Sequence, residues 1–450
     1  VIKRIAYGFR DDAYFFLNNR AAFPELGDEP SKSPELNAHG VLQAIRAAES
    51  GDTAAAMRGY RDGVATRLVH PDSWSNLAAL AIALQDPAAA RQHAMHALQL
   101  DARHVDAWVN LGVASWHAGQ RREGAQATNH ALQHVPGLEA AALNFALMLR
   151  AVGQLAQAHD VLAGAVQANP GAWRLHLALA ETARLLERHD VARREVLVAL
   201  DRMPLAATHD SVARARPLAD NHGELVTQAL VATADAFHAA GLPFHLIGGT
   251  LLALYRDGAP FPHDKDIDLG VPADVDRPAV YRALGQGFSP MLPRDDARAL
   301  ASREWVLGFI HDATGIGVDL MFMHLRGHVM RLGMGWPDHI DSEVPAYGVE
   351  MLRWQDRDWP VPSPPDRFLA AIYGDDWRTP QRHYDTQVSN PSRTPESLPR
   401  AITLGLIRLA EAVRAGQWSK ADALCQQILA REDVAEVRRL RARLATAGVA

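Results

Sequence analysis

The side chains best placed to do chemistry lie in LPFHLIGGTLLALYRDGAPFPHDKDIDLGV, residues 242 to 271. Phe244, Leu246 and Ile247 read as a short strand. Gly248-Gly249-Thr250 follows at once, and Leu251 to Arg256 reads as a helix. A strand, a glycine pair and a helix start bring backbone N–H groups up to an anion. Glycine permits the close approach, and the helix dipole favours phosphate. His263 to Leu269 reads as a second strand, so Asp264, Asp266 and Asp268 share one face and Ile267 and Leu269 the other. Three carboxylates on one face repel one another unless positive charge sits between them. A hard divalent cation answers that need, and Mg²⁺ or Mn²⁺ suits phosphate chemistry. The bland alternative is a solvated acidic edge strand, and such a strand rarely has an anion loop beside it.

A further carboxylate comes from Gly317-Val318-Asp319-Leu320-Met321-Phe322-Met323, which reads as a strand. Asp319 stands alone among apolar neighbours, where an unpartnered carboxylate is expensive. A cation shared with Asp266 and Asp268 removes that cost. A salt bridge to an arginine is the competing reading.

The elements that must hold these residues begin at GELVTQALVATADAFHAAG, a helix-like stretch ending at Gly241. Upstream the texture differs. Trp74 and Trp108 are 34 residues apart, as are Pro136, Pro170 and Pro204 in turn, and Ala97, Ala131, Ala165 and Ala199. The unit Trp108 to Pro136 carries Leu111, Gly112, a turn at Gly119 and Ala131, and resembles the tetratricopeptide (TPR) family. Small residues (Gly112, Ala146, Ala180) let paired helices approach closely, Gly119 and Gly153 mark turns, and the prolines end the second helix of each pair. Four units are expected from about 71 to 204. A degenerate one precedes them, with its turn at Ser50-Gly51-Asp52, and a last hairpin with Gly416, Ala421 and Ile428 closes the chain. One hairpin cannot bury its own face, so the units stack into a solenoid. Its concave face suits a protein partner; a plain spacer is the bland alternative. His93 with His96, and His130 with His134, have helical metal-ligand spacing but no third ligand, so packing or surface roles are expected.

The segment from 220 to 390 resembles the polymerase-β-type nucleotidyltransferases, and more narrowly the LicD/fukutin group. Members carry a "GTLLGxxR…P…DxDxDLG" phrase, matched by GGTLLALYRDGAPFPHDKDIDLGV. Pro365-Asp366-Arg367-Phe368-Leu369, Tyr373-Gly374-Asp375-Asp376-Trp377 and Pro380 resemble the group's "P…yL…YG.dy…P" ending. The resemblance implies transfer of a phospho-substituent, such as phosphocholine or ribitol phosphate, from a CDP-activated donor to a glycan or surface polymer. It implies Asp266 and Asp268 as the metal pair and Asp319 as the third acid. Gly248, Gly249 and Thr250 would form the donor-phosphate loop, and Arg256 would hold a phosphate. Tyr373 and Gly374 would shape the substrate pocket, with Lys265 beside it. Asp264 would complete the ligand shell or act as general base. Arg378, Arg382 and His383 are further candidates for phosphate contacts. The eukaryotic members are membrane-anchored in the secretory pathway, an anchor not expected here, and the TPR fusion is an addition that suggests an acceptor or partner specific to this lineage.

The expected fold is multidomain: an all-α TPR solenoid plus an α+β nucleotidyltransferase-like domain with a small mixed sheet. The expected boundaries are 1–30, 31–210, 215–395 and 396–450. Residues 1 to 30 resemble the tail of DDE insertion-sequence transposases ("IKRIAYGFRDDAYFFL") but hold none of their catalytic carboxylates. They read as a genomic scar or a misplaced start, and otherwise as a short helix. The first residue is Val1, so a fragment or an alternative start codon is expected. A net charge of −6, spread along the chain, gives no reason to expect nucleic acid or anionic lipid as a partner. No apolar run approaches the roughly 18 residues a membrane helix needs. Cys425 is the one cysteine, so no internal disulfide forms and a reducing compartment is the simplest reading. The cytoplasm, up to the inner face of the membrane, is the expected location. Three functional readings stay open: phospho-substituent transfer, nucleotide transfer with pyrophosphate release, and a TPR scaffold with a retired transferase fold.

Overall fold

The computed structural model of the chain describes residues 5–6, 9–10, 43–44, 47, 52–65, 70–205, 221–262, 264–291 and 304–448. Most of the transposase-like leader, Ser50-Gly51 and His263 lie outside them. Within the leader, β1 (Ile5–Ala6) pairs antiparallel with β2 (Phe9–Arg10); the short helix was the bland alternative there. The chain divides into two compact units, one holding the helical repeats and one holding the sheet.

The first unit begins with α1 (Thr53–Ala65) and continues as four helical hairpins. They are α2 (Pro71–Ala83) with α3 (Pro87–Leu100), α4 (Val105–His117) with α5 (Arg121–His134), α6 (Glu139–Ala151) with α7 (Leu155–Ala168), and α8 (Trp173–Leu185) with α9 (His189–Arg202). Pro136, Pro170 and Pro204 each lie two residues past the end of a second helix, as the 34-residue period requires. Ala97, Ala131, Ala165 and Ala199 are all buried where the helices meet. A left-handed residue recurs with the same period at Gln85, Gly119, Gly153 and Glu187. Only two of these are glycine, so the turn geometry persists where the sequence no longer marks it.

The α4/α5 crossing is close. A Cβ on Gly112 would run into the Thr128 hydroxyl and come within 3.0 Å of the Gly124 carbonyl oxygen, and one on Gly124 would lie 2.7 Å from the Gly112 carbonyl oxygen. The histidines pack, as expected. His93 and His96 lie against Trp74, with ring centroids 5.5 and 4.8 Å away, and His130 lies 4.3 Å from Trp108.

In the second unit α10 (His222–Ala239) precedes a sheet of seven strands. These are β3 (His245–Leu246), β4 (Asp266–Pro272), β5 (Phe288–Pro290), β6 (Val306–His311), β7 (Gly317–Arg326), β8 (Val329–Met334) and β9 (Ile340–Pro345). Their order is β3-β4-β7-β6-β5, with β8 and β9 continuing from the far end of β7. Only β4 and β7 run parallel, so the sheet is mixed. The alternation expected of β4 is met: Ile267, Leu269 and Val271 are wholly buried. They join Phe237, Leu251, Val318, Leu320 and Phe322 in one apolar core. Between β3 and β4 lies α11 (Gly248–Leu252), which runs into a π-turn over Ala253–Asp257. α12 (Arg277–Ala283) follows β4, and the hairpin of β10 (Gly348–Trp354) and β11 (Arg357–Ser363) precedes α13 (Pro365–Tyr373) and α14 (Thr386–Ser389).

The C-terminal segment forms three helices rather than the expected hairpin: α15 (Leu398–Arg414), α16 (Trp418–Leu429) and α17 (Ala435–Thr446). It is fastened to the sheet unit. Ile340 of β9 packs on Ala401 and Leu404, and the Asp341 carboxylate accepts hydrogen bonds from Thr394 and Ser397 and pairs with Arg331. Burial alone would raise that carboxyl's pKa, but these hydrogen bonds win and hold it low. No helix of the described residues is long and apolar enough to cross a membrane.

Gly112→Ala is expected to destabilise the repeat unit by about 1–3 kcal/mol, because the crossing has no room for a methyl group. Circular dichroism during chemical unfolding reads this as a lower midpoint; an unchanged midpoint would show that α4 and α5 separate freely.

Candidate active site

Register assembles the site. β4 and β7 run parallel with Asp268 opposite Asp319, and β6 places Gly308 opposite Asp319 on the other side. Directly paired residues on neighbouring strands face the same way, so Asp268 and Asp319 lie side by side. Asp266 pairs with Gly317, whose missing side chain clears room: a Cβ there would sit 3.1 Å from the Asp266 Cβ. Asp264 lies outside the strand, which starts three residues later than expected, at Asp266. The Asp264 carboxyl nevertheless hydrogen-bonds that of Asp266, and its Oδ2 lies 3.5 Å from where a Gly249 Cβ would be. All four aspartates are thus gathered at one end of β4 and β7.

Their electrostatics follow. Burial first, then Asp266, pushes the Asp264 carboxyl up to about 7. Burial also raises Asp266, against the pull of Lys265. Asp268 is held well above the usual carboxylate range, by burial and then by Asp266, Asp319 and Asp264 in turn, with only the Gly249 N–H working the other way. Like charges this close cannot all ionise without a counter-charge.

The glycine loop is engaged with Asp268. Gly249 N–H donates to Asp268 Oδ2 at 2.8 Å, and the Asp268 N–H donates to Thr250 Oγ1 at 2.8 Å. Gly248 adopts φ +54°, and a Cβ there would come within 2.8 Å of the Asp268 Cγ. The helix start that should cradle a phosphate therefore cradles an aspartate, and Thr250 is buried beneath it. Arg256 also departs from expectation. Its Nε and Nη2 grip Asp257 at 2.8 and 3.0 Å, and Nη1 donates to the Trp377 carbonyl at 3.2 Å. It braces the π-turn against the segment after α13 instead of standing ready for a phosphate.

Tyr373, at the end of α13, does lie at the site. Burial, then Asp268, Tyr384 and Asp264, hold its phenol well above the usual range, with Arg256 opposing. Tyr384 lies against it, with ring centroids 5.4 Å apart. Gly374 ends α13 at φ +94°. Lys265 is exposed beside Asp266. Arg378 is engaged with Asp366, which also accepts from Tyr255 at 2.8 Å. Gly308, Gly317 and Tyr384 escaped sequence reasoning, since only the register shows that two glycines face the carboxylates.

Among the described residues no three His, Cys, Asp or Glu side chains converge as a ready-made metal cage. The donor set fits a divalent cation in another way. Mg²⁺ is bound through one or two carboxylates together with waters and substrate phosphates, so an all-protein cage is not required. Asp266, Asp268 and Asp319 offer hard oxygen donors of the right charge, and their mutual repulsion is the kind a cation relieves.

Two consequences are measurable. Thr250→Val would leave the Asp268 N–H unpaired and cost about 1–3 kcal/mol, whereas Thr250→Ser would cost less; thermal unfolding separates the two. The pH dependence has a definite sign. Asp264, Asp266 and Asp268 have folded-state pKa values above the unfolded 3.8. Each contributes stability that is full below that value and is lost as pH rises through its own folded value, about 7 for Asp264. Without divalent cations, Asp264→Asn should therefore flatten the loss of thermal stability between about pH 5 and 8 and raise the midpoint at the upper end. A slope identical to wild type would contradict this electrostatic account.

Residues 241–353 match the family model described as LicD/FKTN/FKRP, nucleotidyltransferase domain. No curated protein matches the chain. Similar solved structures include TTC0263, a TPR protein of Thermus thermophilus, at 17% identity, covering 37% of this chain and 92% of that one with a TM-score of 0.33. Others are pilF of Pseudomonas aeruginosa, at 16% identity, 45% and 89% coverage and TM-score 0.33, and MamA, at 17%, 35% and 93% and 0.30. Likenesses this slight carry no meaning for function. The matched segment runs from the end of α10 through β10 and contains Asp264, Asp266, Asp268 and Asp319. An array of TPR-type helical hairpins is, in this chain, fused to a domain of the LicD family.

Proposed function

We propose that the sheet unit is a divalent-metal-dependent transferase that moves a phospho-substituent from a CDP-activated donor to the hydroxyl of a glycan or surface polymer. The observation that carries this reading is the in-register pair Asp268 and Asp319, flanked by Asp266 and Asp264, within a segment matching the LicD family. Asp266, Asp268 and Asp319 would hold the cation. Bound Mg²⁺ or Mn²⁺ would supply positive charge to the donor's diphosphate oxygens as charge builds on the leaving CMP.

The chain's own groups do the rest. Gly249 and Thr250 fix Asp268, so the central carboxylate needs no reorganisation. Asp264, half-buried and outside the ladder, would take the proton of the attacking hydroxyl. The acceptor oxygen forms its bond to the β-phosphorus as the bond to the CMP oxygen breaks. The proton passes to Asp264 and CMP departs. Tyr373 and Gly374 would line the substrate side, Lys265 would meet the phosphates from solvent, and the helical hairpins would recruit the acceptor or a protein partner.

The test is donor turnover by the full chain with Mg²⁺ or Mn²⁺, using CDP-choline, CDP-ribitol, CDP-glycerol and plain NTPs, followed by mass spectrometry. Metal-dependent CMP release, reduced at least about 100-fold in Asp266→Asn/Asp268→Asn, is the expected result. Pyrophosphate release from an NTP would favour nucleotide transfer. Silence across the panel, with no metal-dependent donor binding by calorimetry, would leave the repeats as the working part.

A further inference from the structure

Asp264 raises a mechanical question. It precedes β4, so the ladder with β7 does not hold it; the first bond on that side goes from Gly317 N–H to the Lys265 carbonyl at 3.0 Å. Its carboxyl accepts a hydrogen bond from the Lys265 N–H and shares one with Asp266, within a cluster whose charges repel it. On the main chain its N–H donates to the Phe261 carbonyl at 3.2 Å, which anchors one side only.

The other side is anchored by His222. Its Nε2 hydrogen-bonds the Asp264 carbonyl oxygen. A carbonyl only accepts, so Nε2 carries the proton and donates. His222 is the first residue of α10 and is 8% exposed, so little water competes for the bond. The carbonyl it grips belongs to the peptide joining Asp264 to Lys265. Fixing that peptide fixes ψ of Asp264 and φ of Lys265, and with them the direction of the Asp264 side chain. His222 also lies outside residues 241–353, the stretch that matches the family model.

We propose that His222 is a positioning residue: it clamps the Asp264–Lys265 peptide and keeps Asp264 inside the carboxylate cluster. This makes the start of α10 part of the site. The inference rests on the reading above that the cluster holds a divalent cation, and its test separates the two.

The full chain is compared with His222→Leu, His222→Gln, Asp264→Asn, His222→Leu/Asp264→Asn and Asp266→Asn/Asp268→Asn. Mn²⁺ retention is measured by electron paramagnetic resonance, and hydrogen–deuterium exchange is followed over residues 259–268. Loss of an outer partner typically weakens metal binding about 10–100-fold, so His222→Leu and Asp264→Asn should each weaken Mn²⁺ by about tenfold, and the double variant no further. Gln keeps an N–H donor at similar reach and should restore most of the affinity. Exchange over 259–268 should quicken in the Leu variant and not in the Gln variant. An effect of His222→Leu that adds to that of Asp264→Asn, or unchanged exchange in the Leu variant, overturns the proposal. If wild type and Asp266→Asn/Asp268→Asn bind Mn²⁺ equally poorly, the metal reading fails, and the exchange comparison alone still decides for or against the clamp.

Discussion

A buried carboxylate surrounded by other carboxylates is the constraint on which the sheet unit depends. Asp268 faces Asp319 across a parallel ladder, with Asp266 and Asp264 close by. Desolvation and like charge both penalise its ionised form. One backbone N–H, from Gly249, is the group that opposes them. A protein built only for stability would place apolar side chains here, as the core positions Leu269 and Leu320 of the same strands do. The cost is tolerable if the unit works with a cation or a cationic substrate group in place.

Much of the neighbouring architecture serves that one residue. Gly248 has no side chain because the Asp268 carboxylate occupies its space. Thr250 takes the Asp268 amide, and Gly317 and Gly308 leave the face of the neighbouring strands open around Asp266 and Asp319. The π-turn after α11 sends Arg256 to Asp257 and to the Trp377 carbonyl, tying the loop to the segment beyond α13. Tyr373 at the end of α13 then reaches the carboxylates from the other side. The glycine motif thus supports an acid: the Gly249 N–H and the Thr250 hydroxyl are both taken up by Asp268.

The repeat unit obeys a different logic. Each hairpin buries small residues against its neighbour, and the left-handed turn recurs every 34 residues whether or not a glycine is present. At Gln85 and Glu187 local preference is overridden, since a non-glycine residue in that conformation costs roughly 1–2 kcal/mol. Packing of the flanking helices must supply that energy, which is why the motif survives where its sequence marker does not.

Local pattern alone determined a good deal of this protein. The 34-residue spacing of prolines and alanines located four hairpins, because helix ends and close helix contacts are set by single residues. The alternation of β4 put Ile267 and Leu269 in the core and Asp266 and Asp268 on the opposite face, because side-chain direction has a period of two. The gathering of Asp319 with this pair was an expectation that needed the fold to be tested, since nothing in the spacing from 268 to 319 encodes a parallel register. Three further matters were decided only by tertiary structure: that Gly249 and Thr250 hold an aspartate, that Arg256 is already engaged, and that the C-terminal segment is three helices fastened to β9. The physical reason is the same in each case. A residue type declares which bonds it can make, but its partner is chosen by which distant strand or helix packs beside it.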